Sequence, residues 1–339
     1  MNNNLDLIAQ DDAFSVEGLT LSINKAVVTP GRIAQLGWFS EDGINTTHIN
    51  IEVQNQRLIL VPAKPRGAPG TSLSREKRYR LSFNTVHLPL EGAVLADELQ
   101  NIRAFGSSNT LASIQRLVDR ELTRMRDSFE VTHEYQRLGA MRGKILDADG
   151  VTVLEDLYDR FKITPNTKTL NFGQDLRTQC MDIKRASEKA QGAIRASRYR
   201  VLMGSEVTNE LLKNDDFKKS YERWQDGQAL RDDMRMNINF GGLLWEEYEA
   251  QFGDEYFIGP DEAFVVPEGR PGLFRTVFAP ADYMETVNTL GLPYYAKRKT
   301  MDYNKGVEFE AQSNPLHLCT NLREIIPLTI KKRTSRSSN

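Results

Sequence analysis

The longest regular pattern of apolar and polar residues runs from Leu111 to Ile145. Its apolar residues recur mostly every three or four positions, which places them on one face of a helix, and charged residues fill the intervals. Arg126 and Glu130 stand at a spacing that favours an ion pair along a helix. The pattern predicts one helix over 111–146 that ends at the turn residues 147–150. Its apolar face comprises Leu111, Ile114, Val118, Leu122, Met125, Phe129, Leu138, Met141 and Ile145.

Such a helix, the spine helix below, would be about 54 Å long and would cross a whole compact subunit of this size. A coiled-coil dimer is the alternative interpretation, because long periodic helices often pair with a second copy. The mixed spacing lacks sustained heptads, so the pattern favours a helix that lies along a sheet.

Alternating residues before the spine helix predict an extended, hairpin-like loop over 44–90. Apolar and polar residues alternate over 49–53, return as a short apolar run at 58–61, and alternate again over 79–85. The stretch between is rich in proline, glycine and basic residues but contains no aromatic residue over 63–78. Contact with an acidic protein surface is therefore favoured there over nucleic-acid binding. The basic candidates for contacts between subunits are Lys64, Arg66, Arg75, Lys77 and Arg78.

The first 43 residues are predicted to form an N-terminal arm. Leu5, Leu7 and Ile8 belong to apolar pieces too short to bury themselves, so they need a surface on which to lie. That surface is either their own domain or a neighbouring subunit, and the three residues are candidate contacts between subunits.

The part after the spine helix is predicted to be mixed. Helices are expected over 175–199 and near 207–224, with short strands between 234 and 297. Alternation over 307–311, 316–318 and 326–330 predicts C-terminal strands that pack under the spine helix.

Composition narrows the classes of function. The 339 residues carry a net charge of -2, so no global field draws the chain to nucleic acid or to a membrane. Cys180 and Cys319 are too far apart in sequence, and too few, for a disulfide framework or a zinc site. No signal peptide and no membrane-spanning stretch is recognised, so we expect a soluble protein made in a cytoplasm.

Motifs for catalysis or cofactor binding are absent from the sequence. The four histidines are scattered, and His133, on the spine helix, is expected at the surface or at an interface rather than as a metal ligand. Residues 147–150 resemble the start of a calcium loop, but Tyr158 stands where its glutamate should be. We therefore expect no catalytic, cofactor-binding or metal-binding residues.

Three stretches resemble the lambda-like major capsid protein E family of tailed bacteriophages: 46–69, 271–297 and 312–316. The second is the most specific, because it matches through Pro-Gly-Leu-Phe-Arg-Thr-Val-Phe-Ala-Pro-Ala-Asp-Tyr, and the order of all parts along the chain agrees. The residues that carry the resemblance there are Pro271, Gly272, Phe274, Pro280, Asp282, Gly291 and Pro293.

The resemblance implies an α+β fold of the Hong-Kong-ninety-seven type, a phage capsid fold with an N-terminal arm, an extended loop, a peripheral domain and an axial domain. It implies a non-enzymatic shell subunit that forms pentamers and hexamers around double-stranded DNA and is located in the virion. Scaffolding, portal and decoration proteins, and weak non-specific contact with packaged DNA, complete the implied partners. The expected boundaries are arm 1–43, loop 44–90, peripheral domain 91–196, axial domain 197–297 and returning strands 298–339.

Two alternatives remain at this stage. An encapsulin-like compartment shares the fold and holds protein cargo, and an enzyme with a site in the mixed domain is the alternative from another class.

Overall fold

The computed structural model describes residues 12–53, 79–100, 110–192, 195–226, 237–253 and 255–331. Helices and strands are mixed throughout these ranges, as expected of an α+β fold. The α-helices are α1 Val16–Lys25, α2 Arg32–Leu36, α3 Ala96–Gln100, α4 Thr110–Arg142, α5 Leu157–Phe161, α6 Leu176–Gln191, α7 Ser205–Leu212 and α8 Asp215–Asp226. Short 3-10 turns lie at Asp12–Phe14, Met284–Thr286, Asp302–Asn304 and Leu322–Glu324.

The strands of the described ranges form several small sheets and one larger sheet. They are β1 Phe39–Gly43, β2 His48–Val53, β3 Tyr79–Asn84, β4 Leu88–Leu95, β5 Lys144–Leu146, β6 Val153–Asp156, β7 Lys168–Asn171, β8 Arg198–Met203, β9 Ile238–Phe240, β10 Leu243–Glu247, β11 Gln251–Phe252, β12 Glu255–Tyr256, β13 Ala263–Glu268, β14 Phe274–Phe278, β15 Tyr295–Thr300, β16 Gly306–Ser313, β17 Pro315–Cys319 and β18 Ile326–Lys331.

The spine helix, α4, is confirmed as one long helix, and it lies along the strands β4, β16 and β17. Its predicted end is wrong, because the helix stops at Arg142 and Ile145 belongs to β5. Gly143 ends it with a left-handed φ of 86°, and a Cβ there would meet the ring of Tyr158. The apolar spacing hid this stop, since Ile145 keeps the helical interval while standing on a strand.

Two three-stranded sheets lie beside the spine helix. The first has the order β15-β16-β4, and the second has the order β1-β14-β17 with β1 parallel to β14. The N-terminal half of the helix packs on the first sheet through Val118, Leu122 and Met125. Its C-terminal half belongs to another apolar cluster, through Leu138 and Met141.

A six-stranded sheet of order β7-β18-β13-β8-β10-β9 forms the second part of the structure. It shares an apolar cluster with α6, α7 and α8, which contains the fully buried Trp245 and Phe217. Strand pairing crosses the limits of 197–297, since β7 and β18 join this sheet from outside that range and β14 and β15 lie in other sheets; the domain boundaries stay predictions. The prediction that all C-terminal strands return under the spine helix is therefore wrong for β18.

The described part of the predicted arm lies on its own domain, which is one of the two alternatives given above. Phe14, Leu19 and Ile23 are buried against the spine helix of the same chain. Arg126 donates hydrogen bonds to the carbonyl oxygens of Asn24 and Ala26 at 2.7 and 2.8 Å, which fixes the end of α1. For residues 12–25 the chain itself supplies the apolar surface, and a neighbouring subunit is not needed there.

The extended loop begins as an antiparallel hairpin. β2 pairs with β3, with His48 opposite Asn84 and Val53 opposite Tyr79. The predicted strand at 58–61 lies outside the described residues, and the observed partner of β2 is the later alternating run.

Candidate assembly surfaces

The candidate contact residues of the arm and loop do not appear in the described ranges. Leu5, Leu7 and Ile8 precede Asp12, and the basic residues Lys64, Arg66, Arg75, Lys77 and Arg78 fall between β2 and β3. Their roles therefore stay predictions.

The stretch 271–297 that carried the resemblance forms a junction beside the spine helix. Gly272 has a φ of 76° in the turn after Pro271, a conformation that favours glycine. Phe274 then enters β14 and packs its ring on those of Trp38 and Phe39, with centroid distances of 5.9 and 4.9 Å. The first half of the stretch thus holds β1 against β14.

The second half of the stretch is fixed through backbone atoms. The carbonyl oxygens of Pro280 and Pro293 accept hydrogen bonds from the side chains of Asn314 and Ser313, and the N–H of Asp282 donates to Gln312. A Cβ on Gly291 would lie 2.0 Å from the carbonyl oxygen of Phe278, so only glycine fits. These residues therefore stabilise the loop.

That loop exposes large apolar side chains, which we call the apolar loop (284–292). Met284 is 87 % exposed, Leu290 is 66 % exposed, and Val287 is also exposed. Hydrogen bonds hold the loop in place, including those of the Tyr295 hydroxyl with Leu290 and Leu292. An ordered loop that exposes apolar groups is typical of a protein contact surface.

His133 is a correction to the sequence analysis, because it is fully buried. Its ring lies 5.4 Å from that of His317, between centroids, and its Nε2 contacts the Ser313 hydroxyl at 2.9 Å. Burial, with the nearby Arg137 guanidinium, lowers the pKa of His133 to about 3, and burial also lowers the pKa of His317 well below its usual value. The sequence suggested that this face of the helix is exposed to solvent, because a sequence does not reveal which of its polar residues will be covered by distant strands.

The buried histidines predict a loss of stability in mild acid. Above pH 6.5 both folding states hold neutral imidazoles, and below it the unfolded chain binds protons that the native His133 does not bind. The free energy of unfolding therefore decreases as the pH is lowered, by about 2 kcal/mol per such imidazole between pH 6.5 and pH 5. Urea unfolding of His133→Gln should show a smaller loss over this interval than the wild type. His48→Gln, at an exposed position, is the control; equal slopes for wild type and His133→Gln would contradict the prediction.

A series of linked, buried ion pairs connects α2 with the six-stranded sheet. Glu246 is fully buried and binds Arg32, with 2.5 Å between Oε1 and Nε, and its other oxygen binds Arg200. Arg200 also binds Glu268, with 2.7 Å between Nε and Oε1, and the Trp38 indole N–H donates to Glu268 at 3.2 Å. The sequence does not reveal these linked ion pairs, because the residues that form them are far apart along the polypeptide.

An open cleft of about 640 Å³ lies between α2, the middle of the spine helix and the segment after β10. Six carboxylates and one guanidinium are among its lining residues, and we call it the acidic cleft. Sequence reasoning missed it, although the run Glu246, Glu247 and Glu249 was a signal. The charged lining residues are Arg32, Asp127, Glu130, Glu134, Glu246, Glu247 and Glu249.

The described ranges contain no arrangement of residues typical of a metal site or of a membrane-spanning helix. There, no group of three or more His, Cys, Asp or Glu residues is placed to hold a metal ion. None of the helices described is both long and apolar enough to cross a membrane. Cys180 and Cys319 are buried free thiols, and burial raises the pKa of Cys180 to about 12.

Comparison with known proteins decides the family. The model of phage major capsid protein E matches residues 15–330, which is nearly the whole chain. The chain belongs to the phage major capsid protein E family. Two major capsid proteins are similar to it: that of Salmonella phage Felix O1, 25 % identical over 92 % of this chain and 95 % of that protein, and that of Pseudomonas phage KPP10, 24 % identical over 84 % and 88 %.

Solved structures agree on the fold of this capsid protein. A putative capsid protein of an Escherichia coli CFT073 prophage has a TM-score of 0.61 at 14 % identity and covers 94 % of this chain and 99 % of its own. A phage-related protein from Bordetella bronchiseptica has a TM-score of 0.51 at 11 % identity, over 94 % and 98 %. The expected phage capsid fold is thus confirmed, and the chain is a structural component of a phage virion.

Proposed function

We propose that this capsid protein assembles into pentamers and hexamers of an icosahedral or prolate shell that encloses double-stranded DNA. The family match over residues 15–330 is the observation that carries the proposal. A closed shell needs only weak individual contacts, because each subunit makes many of them at once.

The surfaces of the subunit support assembly with its own copies. The apolar loop is ordered and exposes Met284 and Leu290, so burial against a partner would remove apolar area from water. The extended loop leaves the body at Val53 and returns at Tyr79, and 25 residues lie between these two anchors. We propose that this segment and residues 1–11 contact neighbouring subunits.

The charge of the chain suits a wall around DNA. A net charge of -2 gives weak, salt-dependent contact with packaged phosphates rather than tight binding. We propose a non-enzymatic subunit whose further partners are scaffolding, portal and decoration proteins.

Purification of the assembled species tests the proposal. Size-exclusion chromatography and electron microscopy should show closed shells of megadalton size, and shells from infected cells should protect DNA from nuclease. Shells that hold protein cargo and no DNA would favour the encapsulin-like alternative. A small, monodisperse species would favour an enzyme and would overturn the proposal.

Deletion of residues 63–78 should leave the body folded and should impair shell closure. The spine helix and its sheets lie outside the deleted segment, so the circular dichroism spectrum should keep its helical signal. Electron microscopy should show few or no closed particles. An equal-length glycine-serine replacement of 63–78 is the control that restores the span without its side chains. Normal shells from the deletion would refute the role given to the loop.

A further inference from the structure

The outward face of the spine helix carries three arginines, which we call the arginine row: Arg116, Arg120 and Arg124. All three are exposed, and they recur every four residues. In helical geometry each step rises by about 6 Å and turns by about 40°, so the row follows one face of the helix for about 12 Å. This face lies opposite the side on which Val118 and Leu122 are buried. The arginine row therefore points away from the body of the subunit.

Few neighbouring acids offset the charge of the arginine row. In the part of the chain that the structure describes, two of its members form no ion pair, and Arg124 lies 4.0 Å from the half-buried Glu121. The other acid between the first and last arginine is Asp119, which accepts hydrogen bonds from the side chains of Ser22 and Gln115 at 2.8 and 3.0 Å. The row thus presents a local positive potential, although the whole chain has a net charge of -2.

The same face lacks the apolar residues that a protein contact requires. From Ile114 to Glu130 every exposed residue is polar, since Asp127 and Ser128 are the exposed residues besides the arginine row. The buried centre of a protein–protein interface is instead depleted in charged residues and enriched in aromatic residues and methionine. The apolar loop has that character, with Met284 among its exposed residues, whereas the arginine row does not. A polyanion is therefore the favoured partner of the row.

Double-stranded DNA has a charge density that suits the arginine row. The duplex carries one negative charge per about 1.7 Å of its axis, so about 12 Å of helix face is matched by roughly seven phosphates. A guanidinium stays charged and offers paired N–H donors to the oxygens of one phosphate. Because the opposite side of the helix is packed on a sheet, the three side chains start from a fixed backbone.

We propose that the arginine row contacts the phosphate backbone of packaged double-stranded DNA. The proposal rests on the proposed shell function and names the surface that meets the DNA. The contact ends before Asp127, where the acidic cleft begins and where negative charge repels phosphates. It is independent of base sequence, since phosphate contacts carry no sequence information.

Salt dependence of DNA binding tests the contact. The test variant combines Arg116→Gln, Arg120→Gln and Arg124→Gln, and the probe is a labelled duplex of about 30 base pairs, titrated with unassembled subunits at several salt concentrations and followed by fluorescence anisotropy. The slope of the logarithm of the association constant against the logarithm of the salt concentration should become less negative by about 2.7, because three phosphate contacts are lost. Affinity at low salt should fall at least tenfold.

Two further variants separate the row from net charge and from folding. Arg185→Gln with Arg195→Gln and Arg323→Gln makes the same charge change at exposed positions outside the spine helix and should leave the slope unchanged. Substitution of the three arginines of the row by lysine keeps the charge and should keep most of the slope. Circular dichroism and the urea midpoint of all variants should match the wild type. Equal loss of slope in both glutamine variants would overturn the proposal.

Two other results would also overturn the contact. Poly-glutamate that displaces the duplex at an equal concentration of charge would mean that the row binds an acidic protein. Loss of closed shells in the glutamine variant of the row, with an unchanged salt slope, would assign the row to contacts between subunits. Absence of shells from the wild type would overturn the proposed function, whereas a slope that does not respond to the row would overturn this contact alone.

Discussion

Leu122→Pro should abolish the soluble, folded subunit. Leu122 is 1 % exposed in the interior of the spine helix, where it packs with α1 and the sheet β15-β16-β4. Proline removes a backbone hydrogen bond and clashes with the preceding turn, which costs about 3 kcal/mol or more, and the loss of leucine packing adds to this cost. Since domains of ordinary stability have only about 5–15 kcal/mol to lose, we expect little soluble protein.

Two variants at the same position separate the backbone effect from packing. Leu122→Met keeps the volume and should cost less than about 1.5 kcal/mol. Leu122→Ala leaves a cavity and should cost about 2–5 kcal/mol without breaking the helix. Urea unfolding of the unassembled subunits measures both. A soluble yield of Leu122→Pro equal to that of the wild type would show that the spine helix is dispensable for folding.

Glu246→Ala should destabilise the subunit by about 3–5 kcal/mol, because it removes a buried counter-charge of Arg32 and one of the two counter-charges of the buried Arg200. Arg200 is 6 % exposed and retains Glu268 and the side-chain oxygen of Asn237 as partners, whereas Arg32 loses both of its bonds to Glu246. The shift in the urea midpoint at constant slope gives the change in the free energy of unfolding.

The exposed ion pair of Arg185 with Asp182 is the matched comparison. Their side chains are both 64 % exposed and 2.9 Å apart, so Arg185→Ala should change stability by less than about 1 kcal/mol. Glu246→Gln keeps the shape of the side chain and removes only its charge. If Glu246→Ala and Arg185→Ala lowered the free energy of unfolding by similar amounts, the buried ion pairs of Glu246 would contribute no more to stability than a surface pair.

Local patterns predicted some of the individual elements, but the helix expected over 175–199 ends at Gln191 before β8, and the helix expected near 207–224 is two helices, α7 and α8. The intervals from Ile114 to Phe129 indicated the spine helix because one of its faces is covered along its whole length. Alternation indicated β2, β3, β16, β17 and β18, each of which is now observed. Chain order and the stretch 271–297 then indicated the capsid fold, which the family match confirms.

Contacts between distant segments account for what the sequence did not reveal. β18 pairs with β7 across about 160 residues, and no local pattern states which sheet a strand will join. His133 stands between the polar residues Thr132 and Glu134 in sequence but is covered by Ser313 and His317 in space. The acidic cleft likewise exists only because Asp127 and Glu249 come from segments that meet after folding.

The spine helix runs through two apolar clusters, and this has a mechanical consequence. Its 33 residues make a rod about 50 Å long, anchored near Leu122 in one cluster and near Leu138 in the other. A tilt of about 5° around the middle of a rod of that length displaces each end by roughly 2 Å. Because the helix is packed in both clusters, a tilt of this stiff rod would move the side chains of both clusters together.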